Sequence, residues 1–309
     1  MKTRLLIDTD TASDDAVALV MAAMDKRFTI EAVTVVAGNV PVDQGVQNAM
    51  YTLQLCDNSA PVYRGAAKPL MRDLETATFV HGEDGMGDIG LPVSGFEPEP
   101  AHAIDIIVDT VNRYPHEVTI ITLGPLTNMA LALLKDPSIA EKTPALVVMG
   151  GTGQGPGNIS PVAEFNIWVD PEAAKIVFDS GIPITMVGWD ISKTYAVFEP
   201  ADIKNVKAID TRLAHFCMDI QKTLLDFSLN ELGLNGFSLP DPIAMAVALN
   251  PEIVTHSEHL YVTVETESQL CRGQTVVDHI GVTGLSPNTK VVLEVSRKGF
   301  IEALIAAVS

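Results

Sequence analysis

The stretch Asp8-Thr9-Asp10-Thr11-Ala12-Ser13-Asp14-Asp15 places four carboxylates in one short run. Helix capping accounts for part of it, with Thr11 or Ser13 as the N-cap and Asp14 and Asp15 at the positive end of the helix dipole. Asp8 and Asp10 alternate with Thr9 at a strand end, so they are expected to share a face. Like charges that close are costly unless a cation neutralises them. A divalent-cation site accounts for the acids that capping leaves over, and an all-oxygen ligand set favours Mg²⁺ or Ca²⁺ over zinc.

Other polar residues stand where a site could gather them, each beside a plainer reading. Asn39 follows a strand-like run and precedes Val40-Pro41, the setting of a turn residue. His81 before Gly82 is equally a loop histidine. Glu164 and Asn166 flank Phe165 in an alternating segment, which puts both polar side chains on one face; with Asn158 they supply the donors and acceptors that sugar hydroxyls need. Asp241, between Pro240 and Pro242, is either a helix cap or a further acid for the cation. The glycine-rich run Gly150 to Gly157 looks superficially like a phosphate loop. Pro156 and the following Asn158-Ile159-Ser160-Pro161 replace the helix start that would aim amides at a phosphate, so a flexible wall around a sugar is expected instead.

The elements that must position these residues alternate short apolar runs with helix-period segments. Strands are expected over Arg4 to Asp8, Phe28 to Val36, Val118 to Leu123, Ala145 to Met149 and Ile182 to Gly188. Helices are expected over Asp14 to Asp25, Val42 to Cys56, His102 to Tyr114, Leu126 to Leu134 and Asp170 to Ser180. Such alternation predicts βαβ units and a single large, open, doubly wound, mainly parallel sheet with helices on both faces. Beyond Val254, Tyr261 to Thr266 and Gln274 to Asp278 read as a hairpin, and Lys290 to Val295 leads into a last helix from Lys298. The Pro-rich stretch Pro92 to Pro100 comes nearest to a linker, so one α/β domain over 1–309 is expected. Ligands in such sheets collect beyond the carboxyl ends of the strands, where the acidic run lies.

Composition fits that frame. The chain has 309 residues, 47% hydrophobic and 19% charged, enough for a large core. Twenty basic against 39 acidic residues give a net charge of −19, which repels nucleic acid and anionic membrane surfaces. No apolar run reaches the length of a membrane span, and the apolar segment after Met1-Lys2-Thr3-Arg4 is too short for a signal peptide. Cys56, Cys217 and Cys271 are too few and too scattered for a disulfide framework or a metal knuckle, so a cytoplasmic setting is expected.

Two enzyme families open in a similar way. Asp8-x-Asp10-Thr11 is similar to the nucleophile loop of haloacid-dehalogenase-type phosphatases, which use Mg²⁺. The longer pattern Asp-x-Asp-x-x-x-Asp-Asp over residues 8–15 resembles that of nucleoside hydrolases, and later segments continue this second resemblance in order: Gly38-Asn39-Val40 with Asn48-Ala49, His81-Gly82-x-Asp84-Gly85-x-Gly87, Leu123-Gly124-Pro125-Leu126-Thr127-Asn128, Met149-Gly150-Gly151, Pro161-x-Ala163-Glu164-Phe165-Asn166 with Asp170-Pro171-Glu172-Ala173, and Pro240-Asp241-Pro242. The phosphatase reading lacks its later Lys and acidic loop, for which Gly188-Trp189-Asp190 is a poor substitute.

The nucleoside hydrolase resemblance implies calcium-dependent cleavage of the N-glycosidic bond of ribonucleosides, in nucleoside salvage, by a homodimer or homotetramer. It implies Ca²⁺ held by Asp10, Asp15, Asp241 and the Leu123 carbonyl, with Asp10 also the general base. Asp14, Asn39, His81, Met149, Asn158, Glu164 and Asn166 would bind the nucleoside. Many members carry His just before the last metal acid as the leaving-group acid, and another branch carries an aromatic there. This chain has Pro240, which can do neither job. The acid is then to be sought at His81 or between Phe227 and Phe237, or the base departs without strong protonation; base preference stays open. A nucleoside- or ribose-binding protein without turnover is the competing reading, and Asp10 counts against it because a binder needs no base beside the metal.

Overall fold

The computed structural model describes residues 3–309; Met1 and Lys2, the first residues of the amino-terminal stretch weighed above, lie outside the described residues. Strands Thr3–Thr9, Phe28–Val35, Val62–Arg64, Val118–Thr122, Ala145–Met149, Ile184–Val187, Val254–Leu260 and Thr289–Val295 form one eight-stranded sheet. Thr3–Thr9 lies near the middle, with Phe28–Val35 and then Val62–Arg64 on one side and Val118–Thr122, Ala145–Met149, Ile184–Val187, Thr289–Val295 and Val254–Leu260 in turn on the other. Neighbours run parallel except the last pair, where Val254–Leu260 is antiparallel to Thr289–Val295. This is the doubly wound sheet that the alternating elements predict.

The central strands read as unbroken apolar runs because both of their faces are covered. Leu5 and Ile7 pack into one core with helices Ser13–Met24, Val42–Leu55, Pro240–Leu249 and Arg297–Val308. Leu6, pointing the other way, packs with helices Ala103–Arg113, Thr127–Lys135 and Pro171–Phe178. Winding changes direction at Thr3–Thr9, whose neighbours are Phe28–Val35 and Val118–Thr122. Their carboxyl ends therefore open a crevice at the switch point, where the acidic run emerges.

The late hairpin is present as Val262–Val264 paired with Thr275–Val277. The Pro-rich stretch is tied to the sheet edge rather than serving as a linker: the Glu99 amide donates to the Val62 carbonyl, and Gln47 exchanges hydrogen bonds with the Phe96 backbone. Two regions depart from expectation. The edge strand Val254–Leu260 is polar and was not anticipated. Between Gly188 and Pro240, where no element was expected, the chain forms four short helices, Trp189–Tyr195, Pro200–Lys207, Arg212–Asp219 and Lys222–Asn230, and pairs Val197–Phe198 with Phe237–Ser238.

Candidate active site

The crevice is built first by backbone placement. The strand Thr3–Thr9 ends at Thr9, and helix Ser13–Met24 starts with Ala12 as its N-cap, not Thr11 or Ser13. The Asp15 carboxylate takes over the capping, accepting from the Ala12 amide at 3.0 Å and from the Thr9 hydroxyl at 2.5 Å. Asp10 hangs in the turn between them. Its Oδ2 accepts from the Asn39 amide at 2.6 Å, while Oδ1 is buried without a hydrogen-bond partner among the described residues. Two glycines make room for it: a Cβ at Gly38 would collide with the carboxylate, and one at Gly124 would sit 2.7 Å from Oδ1.

The expectation that Asp8 and Asp10 face one cation is corrected by the structure. Asp8 Oδ1 accepts from Thr34 Oγ1 at 2.6 Å and from Asn128 Nδ2 at 2.8 Å, which ties the central strand to its neighbour and to the first turn of helix Thr127–Lys135. Burial pushes its carboxyl up to about 7. It lines no part of the cavity described below, so it is a buttress, and it is unsuited to be the exposed nucleophile that a phosphatase would need.

Asp241 arrives from the far end of the chain, in the first turn of helix Pro240–Leu249, which packs along Ser13–Met24. Single oxygens of Asp14, Asp15 and Asp241 lie within 4.8 Å of one another, all buried. Asp14 Oδ1, like Asp10 Oδ1, has no partner among the described residues. Burial raises all four carboxyls, and repulsion between them adds to it at Asp10, Asp15 and Asp241: Asp10 and Asp241 rise well above the usual range, Asp14 to about 6, and Asp15 moves the same way. Crowded, buried, unpartnered carboxylate oxygens are the donor set of a hard divalent cation, so the residues fit one. Asp14 enters this cluster, although the family pattern assigns it to the sugar. The Leu123 carbonyl lies just beyond the neighbouring strand and accepts from Asn166 Nδ2 at 2.6 Å, which occupies one of its two lone pairs.

Beside the cluster a cavity of about 170 Å³ is lined by Asp14, Asn39, His81, Met149, Asn158, Glu164, Asn166 and Asp241. All seven nucleoside contacts expected from the sequence thus meet in one place. Their local settings differ from expectation in part. Glu164 does not alternate along a strand; it caps the short helix Phe165–Val169, accepting from the Asn166 and Ile167 amides and also from the Gly151 amide. Burial lifts it to about 7. Asn158 Oδ1 accepts from the Phe165 amide. The glycine-rich run is not a flexible wall: Asp190 accepts from the Gly153 and Gln154 amides, and Thr275 exchanges hydrogen bonds with Thr152. It lies outside the cavity lining.

His81 is buried, and burial lowers it to about 4, so its ring is neutral near pH 7. Its Nδ1 sits 2.9 Å from Ser13 Oγ and 3.7 Å from Asp14 Oδ1. The opposite wall is apolar. Phe79 and Phe227 meet edge to face with ring centroids 5.7 Å apart, and Trp189, Leu224, Leu232 and Leu234 complete it around Pro240. Sequence reading missed these residues, apart from bracketing Phe227 to Phe237; Phe79, Trp189, Leu224 and Phe227 belong to short helices whose boundaries carry no strong periodicity, and Leu232 and Leu234 to the loop after Lys222–Asn230. A cavity lined by carboxylates, side-chain amides and an apolar wall suits a polar ring joined to a flat heterocycle.

Comparison with known proteins agrees. Residues 5–302 match the family described as inosine-uridine preferring nucleoside hydrolase. A pyrimidine-specific ribonucleoside hydrolase, RihA, of Salmonella schwarzengrund is 40% identical over 302 residues, spanning 97% of this chain and 96% of that protein. Among solved structures, the plant nucleoside hydrolase PpNRh1 superposes with TM-score 0.94 at 29% identity, covering 100% of both chains. A purine-preferring ribonucleoside hydrolase from Gardnerella vaginalis gives 0.91 at 30% identity over 99% of this chain and 98% of that one.

Proposed function

Because this chain belongs to the inosine-uridine preferring nucleoside hydrolase family, and so is a hydrolase of N-glycosyl bonds, we propose that it cleaves ribonucleosides to ribose and free base with one bound Ca²⁺. The observation that carries the reading is the meeting of Asp14, Asp15 and Asp241, with Asp10 buried near enough to repel Asp15 and Asp241, beside a cavity lined by Asn39, Asn158, Glu164 and Asn166. Asp10, Asp15, Asp241 and the Leu123 carbonyl would hold the ion, which when bound supplies positive charge to orient water and the ribose diol. The two cores, running from Leu5 to Val308 on the two faces of one sheet, support a single domain over 1–309.

The chain's own groups then divide the work. Asp14 and Asn39 grip ribose hydroxyls, Asn158, Glu164 and Asn166 hold the rest of the sugar, and Met149 packs beneath the ring. Asp10 Oδ1, buried and unpartnered, takes a proton from the attacking water as its oxygen bonds to C1′. The C1′–N bond breaks through an oxocarbenium-like state, its electron pair leaving on the base nitrogen, which is then protonated. Contacts to hydroxyls help reach that state because the sugar flattens towards it.

Ribose release from a panel of purine and pyrimidine ribonucleosides, assayed with and without chelator and alongside metal analysis of the pure protein, tests the proposal. Release that chelation stops and Ca²⁺ restores is expected. Binding without release would favour the non-catalytic alternative, and release indifferent to chelator would remove the ion.

A further inference from the structure

Ser13, Gln221 and His81 form a buried chain of hydrogen bonds whose directions are fixed by counting hydrogens. The Gln221 side-chain amide donates from Nε2 to the Ser13 carbonyl at 2.7 Å and to the Cys217 carbonyl at 3.3 Å. That leaves its Oε1 as an acceptor, 2.9 Å from Ser13 Oγ. A serine hydroxyl has one hydrogen, and here it is spent on Gln221. The remaining neighbour of Ser13 Oγ is His81 Nδ1 at 2.9 Å, so Nδ1 must be the donor. The Asp14 carboxylate at 3.7 Å on the same side also favours hydrogen there. In a neutral imidazole the other nitrogen then carries a lone pair. Nε2 has no hydrogen-bond partner among the described residues, and His81 lines the cavity.

We propose that Gln221 and Ser13 are positioning residues that lock His81 in its Nδ1–H tautomer, so that Nε2 accepts a hydrogen bond from an O–H or N–H donor of the bound nucleoside. The inference rests on the function proposed above, and its first test does not depend on activity. His81 in this state reads the substrate and does not protonate the departing base. A group that accepts equally in the ground and transition states acts mainly on KM.

Nitrogen NMR of protein labelled with ¹⁵N in its histidine rings, loaded with Ca²⁺, should show His81 with a protonated Nδ1 and an unprotonated Nε2; the reverse pattern overturns the proposal whatever the enzyme hydrolyses. Gln221→Met keeps the side chain's bulk and frees the Ser13 hydroxyl to donate to Nδ1. The tautomer should switch to Nε2–H, and KM for uridine should rise about tenfold with kcat within about threefold, the scale of one lost hydrogen bond. Gln221→Glu, its carboxyl protonated so that it still donates to the Ser13 carbonyl, keeps the acceptor for the Ser13 hydroxyl and should retain the wild-type tautomer. 5′-Deoxyuridine and 3-methyluridine separate the two donor sources: the Gln221→Met penalty should vanish for whichever analogue lacks the contacted donor. An equal penalty on uridine and both analogues, or a fall in kcat alone, would mean that the chain only supports the fold. Failure of the functional reading would look different: no nucleoside would release ribose, while the NMR pattern would still report the tautomer.

Discussion

Only Thr9 separates Asp8 from Asp10, and the hydrogen bonds each carboxylate makes decide what it can do. Asp8 has Thr34 and Asn128 on one oxygen, while Asp10 keeps Oδ1 bare between two glycines. The sequence pattern shows acids at both positions and cannot separate them, because the residues that claim Asp8 come from a distant strand and a distant helix. Asp10→Asn keeps the shape and the Asn39 amide contact but cannot take a proton. It should lower kcat about 10²-fold or more with little change in KM, read by ribose release at saturating nucleoside; near-wild-type turnover would move the base elsewhere. The polar contacts were legible for a different reason. Asn39, His81, Asn158, Glu164 and Asn166 stand in loops or in short helices, and the resemblance to a family, not periodicity, pointed to them.

At the scale of elements, the parallel strands and their helices were readable because a strand buried on both faces must be apolar throughout, and the paired helices must be amphipathic. The helices from Trp189 to Asn230 were not, being seven to nine residues long and held by tertiary contacts. They set the apolar wall, which is why base preference was the part of function the sequence left open. Helix Pro240–Leu249 joins that wall to the carboxylates, with Pro240 at its first position lining the cavity. A proline there has fixed φ and no proton to give. p-Nitrophenyl riboside, whose leaving group needs little protonation, should be hydrolysed faster than natural nucleosides. Pro240→His should narrow that gap by speeding the natural substrates, by as much as about 10²-fold if the ring reaches the base. Equal rates on activated and natural substrates in the wild-type enzyme would reveal an acid elsewhere.

For the whole molecule, the buried carboxyls make stability depend on pH and on the cation together. Asp8 and Glu164 titrate near 7 and Asp14 near 6 when folded, against ordinary values near 4 when unfolded. The folded state therefore holds more protons between pH 4 and 7, and the stability these groups contribute at low pH is lost as pH rises through that window. His81, lowered to about 4, works the other way over pH 4 to 6.5, one group against several. The chelated protein should lose Tm between pH 5 and 8, and Ca²⁺ should reduce the loss by binding the ionised cluster; a flat profile without calcium would contradict this charge assignment. The cluster also has a kinetic consequence. Asp10, Asp14 and Asp15 are among the first residues to leave the ribosome and Asp241 among the later ones, with most of the sheet threaded between them. A nascent or half-folded chain has no complete cage, so the ion can grip only when assembly is nearly finished. Calcium should then slow unfolding in stopped-flow measurements while leaving refolding almost unchanged. The enzyme would hold its cation less as a scaffold to fold around than as a latch that closes last.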